Sequence, residues 1–170
     1  MPAYDLEALR CFRTNLHGSF PRRADALFEL VDALLTAGPV ASLPHLSLQA
    51  AHRRGWGSLY DALTDGALDA AVLEVLLRRH AASDEPTVYA IDPSVWPRCD
   101  AEASPDRGFY YHPSRHSAGQ PIVAGWAYQW LAQLSFTRDS LTAPLDVRRV
   151  HPTENVHTVA VAQIAALIAR

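Results

Sequence analysis

Thr87-Val88-Tyr89-Ala90-Ile91-Asp92-Pro93-Ser94 is the stretch that decides how this chain folds. An apolar run with β-branched and aromatic residues leads into an acid, and a proline follows at once. That order predicts a buried strand over 87–92 with Asp92 at its carboxyl end. A carboxylate withdrawn from water there needs hydrogen bonds, an opposite charge or a metal ion to offset its desolvation. The plain alternative is an Asx-type turn, in which Asp-Pro-Ser only marks the strand's exit from the core.

N-terminal to this strand the apolar period is helical. Leu6, Leu9, Phe12 and Leu16 share one helix face, and Leu27, Phe28, Val31, Leu34 and Leu35 share another. Pro21 suits a helix start, and Gly38-Pro39 stops the second helix. A loop with Pro44, Arg53, Arg54, Gly55 and Gly57 follows, then a short helix around Leu59–Leu63. Asp69 caps a further helix whose core face is Val72, Leu73, Leu76 and Leu77. Residues 1–80 therefore read as a small helical domain.

The polar segment Ala81–Pro86 breaks helices, and beyond it the period becomes two. After the strand at 87–92 come a second at about 108–112 and a third at about 121–136. In the third, Ile122, Ala124, Trp126, Tyr128, Trp130, Ala132, Leu134 and Phe136 fall on one face, and its aromatics read as core packing rather than as a base-stacking platform. A helical stripe is also present in that run, but its aromatic content and Gly125 favour a strand. Leu141–Val147 is either the hairpin's return or a separate edge strand. Thr153 is a good N-cap for a last helix, with Val156, Val159, Ala160, Ile164, Leu167 and Ile168 as its apolar stripe. The fold class is α+β: a helical N-terminal domain, then antiparallel strands with one covering helix over 87–170.

Composition narrows the classes of function. The chain has 170 residues, 49% of them hydrophobic and 19% charged, which excludes a largely disordered chain. All fifteen basic residues are arginine, and eighteen acids bring the formal net charge to -3, so no bulk basic clamp is present. Arginine still pairs up at 22–23, 53–54, 78–79 and 148–149, where its planar fork suits phosphate and where a cation near a helix end is favourable in any case. Cys11 and Cys99 match neither a zinc spacing nor a disulfide framework. With no signal peptide and no membrane-length apolar run, a cytoplasmic location is expected.

Several segments together resemble a known family. They are Val88–Ser94 around Asp92, Ser104-Pro105-Asp106-Arg107, Tyr111-His112-Pro113-Ser114-Arg115 and Pro121–Tyr128, with Arg23–Leu30 and Arg53–Leu63 upstream. As a set they resemble the bacterial insertion-sequence transposases of the DDE class. The resemblance implies an RNase H-like fold in the second domain, with Asp92 as the first acid of a metal-binding set. Such sites hold two Mg2+ (or Mn2+) ions roughly 4 Å apart, which clamp the attacking and leaving oxygens of a phosphodiester. The second and third acids of the family lie beyond the helix that closes this chain. Asp84, Asp100, Asp106, Asp139 and Asp146 lie in or between the first strands and do not substitute for them. The expectation is the N-terminal part of a transposase, inactive alone and dependent on Mg2+ only when the missing acids are supplied. The competing expectation is a non-catalytic DNA-binding or interaction module that acts as a truncated inhibitor.

The resemblance also implies partners, and the residues offer contact candidates. DNA is expected, as transposon ends and target, together with a second copy or a full-length transposase and with no membrane. The helical domain is expected to contact DNA or dimerise. Arg53, Arg54, Arg107, His112 and Arg115 are the DNA-contact candidates, with His112 and Arg115 expected beside Asp92. In the RNase H-like order the first strand is central and flanked by the second, so the missing fourth strand would leave one edge unpaired and the domain prone to association. His112-Pro113-Ser114-Arg115-His116 lacks nearby Cys or Glu ligands and reads as a hydrogen-bonded loop, not a zinc site. A hydrolase built from Ser94 or Ser114 with His116 and Asp92 has no Gly-x-Ser-x-Gly elbow.

Overall fold

Helix-forming residues and their caps account for the first half of the chain. In the computed structural model, which describes residues 5–40, 42–81, 86–112, 119–135 and 141–169, α1 spans Leu6–Gly18. The Asp5 carboxylate starts it by accepting the Ala8 N–H at 2.9 Å. Next come α2 (Ala24–Thr36), α3 (Leu43–Leu46), α4 (Gly57–Asp65) and α5 (Ala70–Arg79). Asp69 caps α5 through the Ala71 and Val72 N–H groups, both at 3.1 Å. The chain divides into two compact units, Met1–Arg79 and His80–Arg170.

The first unit closes around Leu30, Ala33, Leu46 and Leu59, with Leu27 and Ala37 against them. This corrects the inward face expected for α2. Its buried residues are Ala26, Glu29, Leu30 and Ala33, whereas Leu35 is 74% exposed and Leu34 is exposed too. A helix that is apolar nearly all round does not announce its inner face, and here α3 and α4 select the Leu30/Ala33 side. Leu6 and Leu9 of α1 are likewise exposed, and the expected loop at Pro44 contains the four-residue α3.

The second unit is built on one long strand. It comprises β1 (Val88–Pro97), β2 (Gly108–Tyr111), β3 (Ile122–Ser135), β4 (Leu141–Val150) and α6 (Val156–Ile168). β3 is antiparallel to all three other strands. β1 pairs along one edge, from Val88↔Leu134 to Pro97↔Gly125. β2 and then β4 share the other edge, from Tyr111↔Ile122 to Ser135↔Leu141. β4 is thus the return from β3, and β1 lies beside β3, not beside β2 as the expected order had it. Among the described residues no strand covers the far edge of β1.

Two strand expectations change. β1 does not end at Asp92 but continues through Pro93 to Pro97. The Asx turn is overturned with it, because an edge strand tolerates a proline whose missing N–H faces away from its neighbour. In β3 the buried positions are Val123, Gly125, Ala127, Gln129, Leu131, Gln133 and Ser135, so the aromatic face is not the core face. α6 decides this. It lays Val159 against Ala127 and Val150, and Gln163 Nε2 donates to the Gln129 carbonyl (3.2 Å) and to Asp146 (2.9 Å). Asn155 caps α6 in place of Thr153, accepting the His157 N–H at 2.8 Å.

Candidate functional site

Asp92 sits in the body of β1 opposite Trp130, whose other neighbour is Val147 of β4. Directly opposed residues of antiparallel strands share a face, so Asp92 lies on the sheet face that α6 leaves open. It is exposed. The carboxylate is therefore not withdrawn from water, and the desolvation argument that singled it out does not hold. What the strand does provide is position: a carboxylate on a paired backbone.

Three further aspartates of this unit have partners of their own. Asp100 takes the Arg98 guanidinium on both oxygens (3.1 and 3.2 Å), and this hydrogen bonding holds its carboxyl below the usual carboxylate range. Asp106 meets His151 Nε2 at 3.1 Å and Arg149 at 4.0 Å. Asp146 accepts from Gln163 beneath α6. Asp84 and Asp139 lie outside the described residues. Among the described residues no three His, Cys, Asp or Glu side chains form a group able to hold a metal ion. One carboxylate does not make a two-ion site, and the residues described do not fit such a centre by themselves.

The structure disperses the remaining candidates. Tyr111, just before His112, pairs with Ile122, whereas Asp92 pairs with Trp130. Those eight residues of β3 span about 26 Å at roughly 3.3 Å per residue, so His112 is not beside Asp92. Arg115, with Ser114 and His116, lies outside the described residues. Arg107 donates to the Arg98 and Cys99 carbonyls at 3.0 and 3.2 Å, which fastens the loop before β2.

Arg53 and Arg54 belong to the helical unit, where both meet the buried Glu29. The Arg53 and Arg54 guanidinium nitrogens lie 3.5 and 3.4 Å from it, and Arg54 also reaches Asp25 at 3.6 Å. The Arg53 N–H adds a 3.1 Å hydrogen bond to the same carboxylate. The Arg53 side chain is nonetheless 81% exposed.

Sequence reasoning missed one constellation on the open sheet face. Two guanidiniums lie near the Trp126 ring, with Arg149 Cζ 5.3 Å and Arg98 Cζ 5.9 Å from its centre. Its indole N–H donates to the Pro105 carbonyl at 3.2 Å, and Arg149 donates to the same carbonyl at 3.0 Å. The available signal was the alternation of aromatics from Trp126 to Trp130 beside the Arg148-Arg149 pair.

An antiparallel sheet backed by a single helix is consistent with the opening of an RNase H-like domain. The family model of the DDE superfamily endonuclease matches residues 15–167. The chain belongs to this family. No curated protein and no solved structure matches it. A DDE superfamily endonuclease acts on DNA, and such enzymes generally depend on divalent metal ions. Among the described residues, the α+β build of four antiparallel strands with α6 on one face is consistent with a partial RNase H-like domain of this family. No helix among the described residues is long and apolar enough to cross a membrane.

Proposed function

We propose that this chain is the N-terminal part of an insertion-sequence transposase, and that Asp92 is the first metal-ligand acid of its DNA-cutting site. The observation that carries the reading is the place of Asp92 on a paired strand, exposed on the open sheet face, within a chain that matches the DDE endonuclease family. Mg2+ or Mn2+ is held only when further acids join Asp92. Alone, the chain binds DNA without cutting it and so competes with a complete transposase for transposon ends. The helical unit contributes phosphate contacts or pairing with a second copy, and Arg53 is the contact best placed by its exposure.

The test joins this chain to the residues encoded downstream of it and measures Mg2+-dependent nicking of DNA that carries the element's ends. The joined protein is expected to cut, and its Asp92→Asn variant to bind the same DNA and melt at the same temperature without cutting. Undiminished cutting by Asp92→Asn would remove Asp92 from the site.

A further inference from the structure

The backbone of β1 has an inner and an outer side, and one hydrogen bond assigns its residues to each. Arg98 N–H, just past the strand, donates to the Ala124 carbonyl at 2.8 Å, and the Trp96 carbonyl lies against Gly125. In an antiparallel ladder alternate residues turn both backbone groups to the same neighbour. The even-numbered residues from Val88 to Trp96 therefore bond to β3. Tyr89, Ile91, Pro93, Val95 and Pro97 face the far edge, where no strand lies among the described residues.

Pro93 and Pro97 have no N–H to give. They interrupt the outer edge from residue 93 onward and leave Tyr89 and Ile91 as its adjacent donors, with Val95 isolated between the prolines. A long partner strand running the length of β1 would meet both gaps. A short one that pairs over 88–92 meets neither.

Backbone chemistry selects the occupant. Unpaired amide and carbonyl groups at strand spacing are matched by another extended backbone. Over 88–92 the set is self-complementary. In an antiparallel two-fold arrangement Tyr89 of one copy lies opposite Ile91 of the other and exchanges both hydrogen bonds with it, and the symmetry repeats the pair. Every outer donor of 88–92 in both copies is then used. The side chains agree, because an aromatic residue opposite a β-branched one is a favourable cross-strand pair, and it too occurs twice. A ribbon about 17 Å long buries far less than the roughly 800 Å² per partner of a stable dimer, so the pairing is weak and reversible.

We infer that a second copy of this chain pairs antiparallel with β1 over Val88–Asp92, through Tyr89 and Ile91, and that Pro93 and Pro97 keep the rest of the edge from pairing. The inference rests on the ladder of the strand unit and not on the DNA reading above, so each can fail without the other. It sets Val88 of the second copy opposite Asp92.

The experiment follows the full chain from low to millimolar concentration by sedimentation and by amide hydrogen exchange. Dimers are expected, with the Tyr89 and Ile91 N–H groups becoming protected as they form and the Val95 N–H staying fast. Ile91→Pro is expected to weaken dimerisation by about 5- to 150-fold, since the two-fold loses a pair of hydrogen bonds. Val95→Pro leaves it within about twofold. Neither position donates to β3, so both variants keep the ladder, which circular dichroism melting checks, and Tyr89→Pro replaces Ile91→Pro should that variant not fold. Ala90→Cys reports the register, because residue 90 lies on the two-fold axis opposite its own copy and is expected to cross-link to it under mild oxidation, as read by peptide mass spectrometry. A chain that stays monomeric at millimolar concentration overturns the inference. So does a dimer that a folded Ile91→Pro leaves intact, that Val95→Pro disrupts equally, or that gives no cross-link at residue 90.

Discussion

At the scale of single residues, the best-defined electrostatic feature is not Asp92 but the pair formed by Arg13 and Asp32 in the helical unit. Two parallel hydrogen bonds of 2.7 and 2.8 Å join them, and Arg13 also lies over the Phe28 ring at 4.7 Å. The Arg13 hydrogen bond holds the Asp32 carboxyl below its ordinary range. A depressed folded pKa means that the stabilisation is present above the unfolded value near 3.8 and is lost as pH falls through the folded one. Both side chains are partly in water, so the pair contributes about 1 kcal/mol or less. Asp32→Asn is expected to lower stability by that amount at pH 7 and to flatten the acid limb of a denaturation series below about pH 4. An unchanged acid limb would show that the pair contributes nothing to folding. Asp92 is the opposite case. It was legible as a candidate from the run before it, but the argument from burial was wrong, because an acid in mid-strand on an open face costs little. Its proposed role rests on family membership and on its place, not on strain.

At the scale of elements, the sheet was legible where the period of two was clean and illegible where both faces are apolar. β3 alternates large aromatics with small or polar residues, and the larger side chains drew the core assignment to the wrong face. Only α6 settles it, and α6 itself buries Gln163 beside Val159, a polar residue that no apolar stripe predicts. The length of β1 was hidden by Pro93, which reads as a strand end unless the strand lies at a sheet edge. Gly125 shows how tightly that edge is built. A methyl group there would run into the Trp96 carbonyl and the Pro97 Cα, both backbone atoms unable to yield. Gly125→Ala is therefore expected to cost about 3 kcal/mol through displacement of β1, seen as an earlier denaturation midpoint for the strand unit. A midpoint within error of the parent would mean that β1 does not pair there. Legibility was better in the helical unit, where Asp69 and Gly38-Pro39 set helix ends through local chemistry, although its inner faces depend on partners distant in sequence.

At the scale of the whole molecule, the far edge of β1 carries no strand among the described residues, although the strand itself is long and largely apolar. Unpaired N–H and C=O groups along such an edge invite pairing with another chain. The chain is expected to associate as its concentration rises, with light scattering growing and melting becoming concentration-dependent. A monomer with one sharp, concentration-independent transition would contradict this. The open edge and open face are compatible with the proposal that this chain is the N-terminal part of a DDE transposase. The most direct test of that account is to sequence the DNA on both sides of the coding region and read it in all three frames. The account predicts a frame that continues with an apolar strand ending in Asp, then a later helical Glu, and inverted repeats bracketing the whole. Flanking DNA with neither acid in any frame and no repeats would contradict it, and Asp92 would then be an exposed strand residue without a catalytic partner.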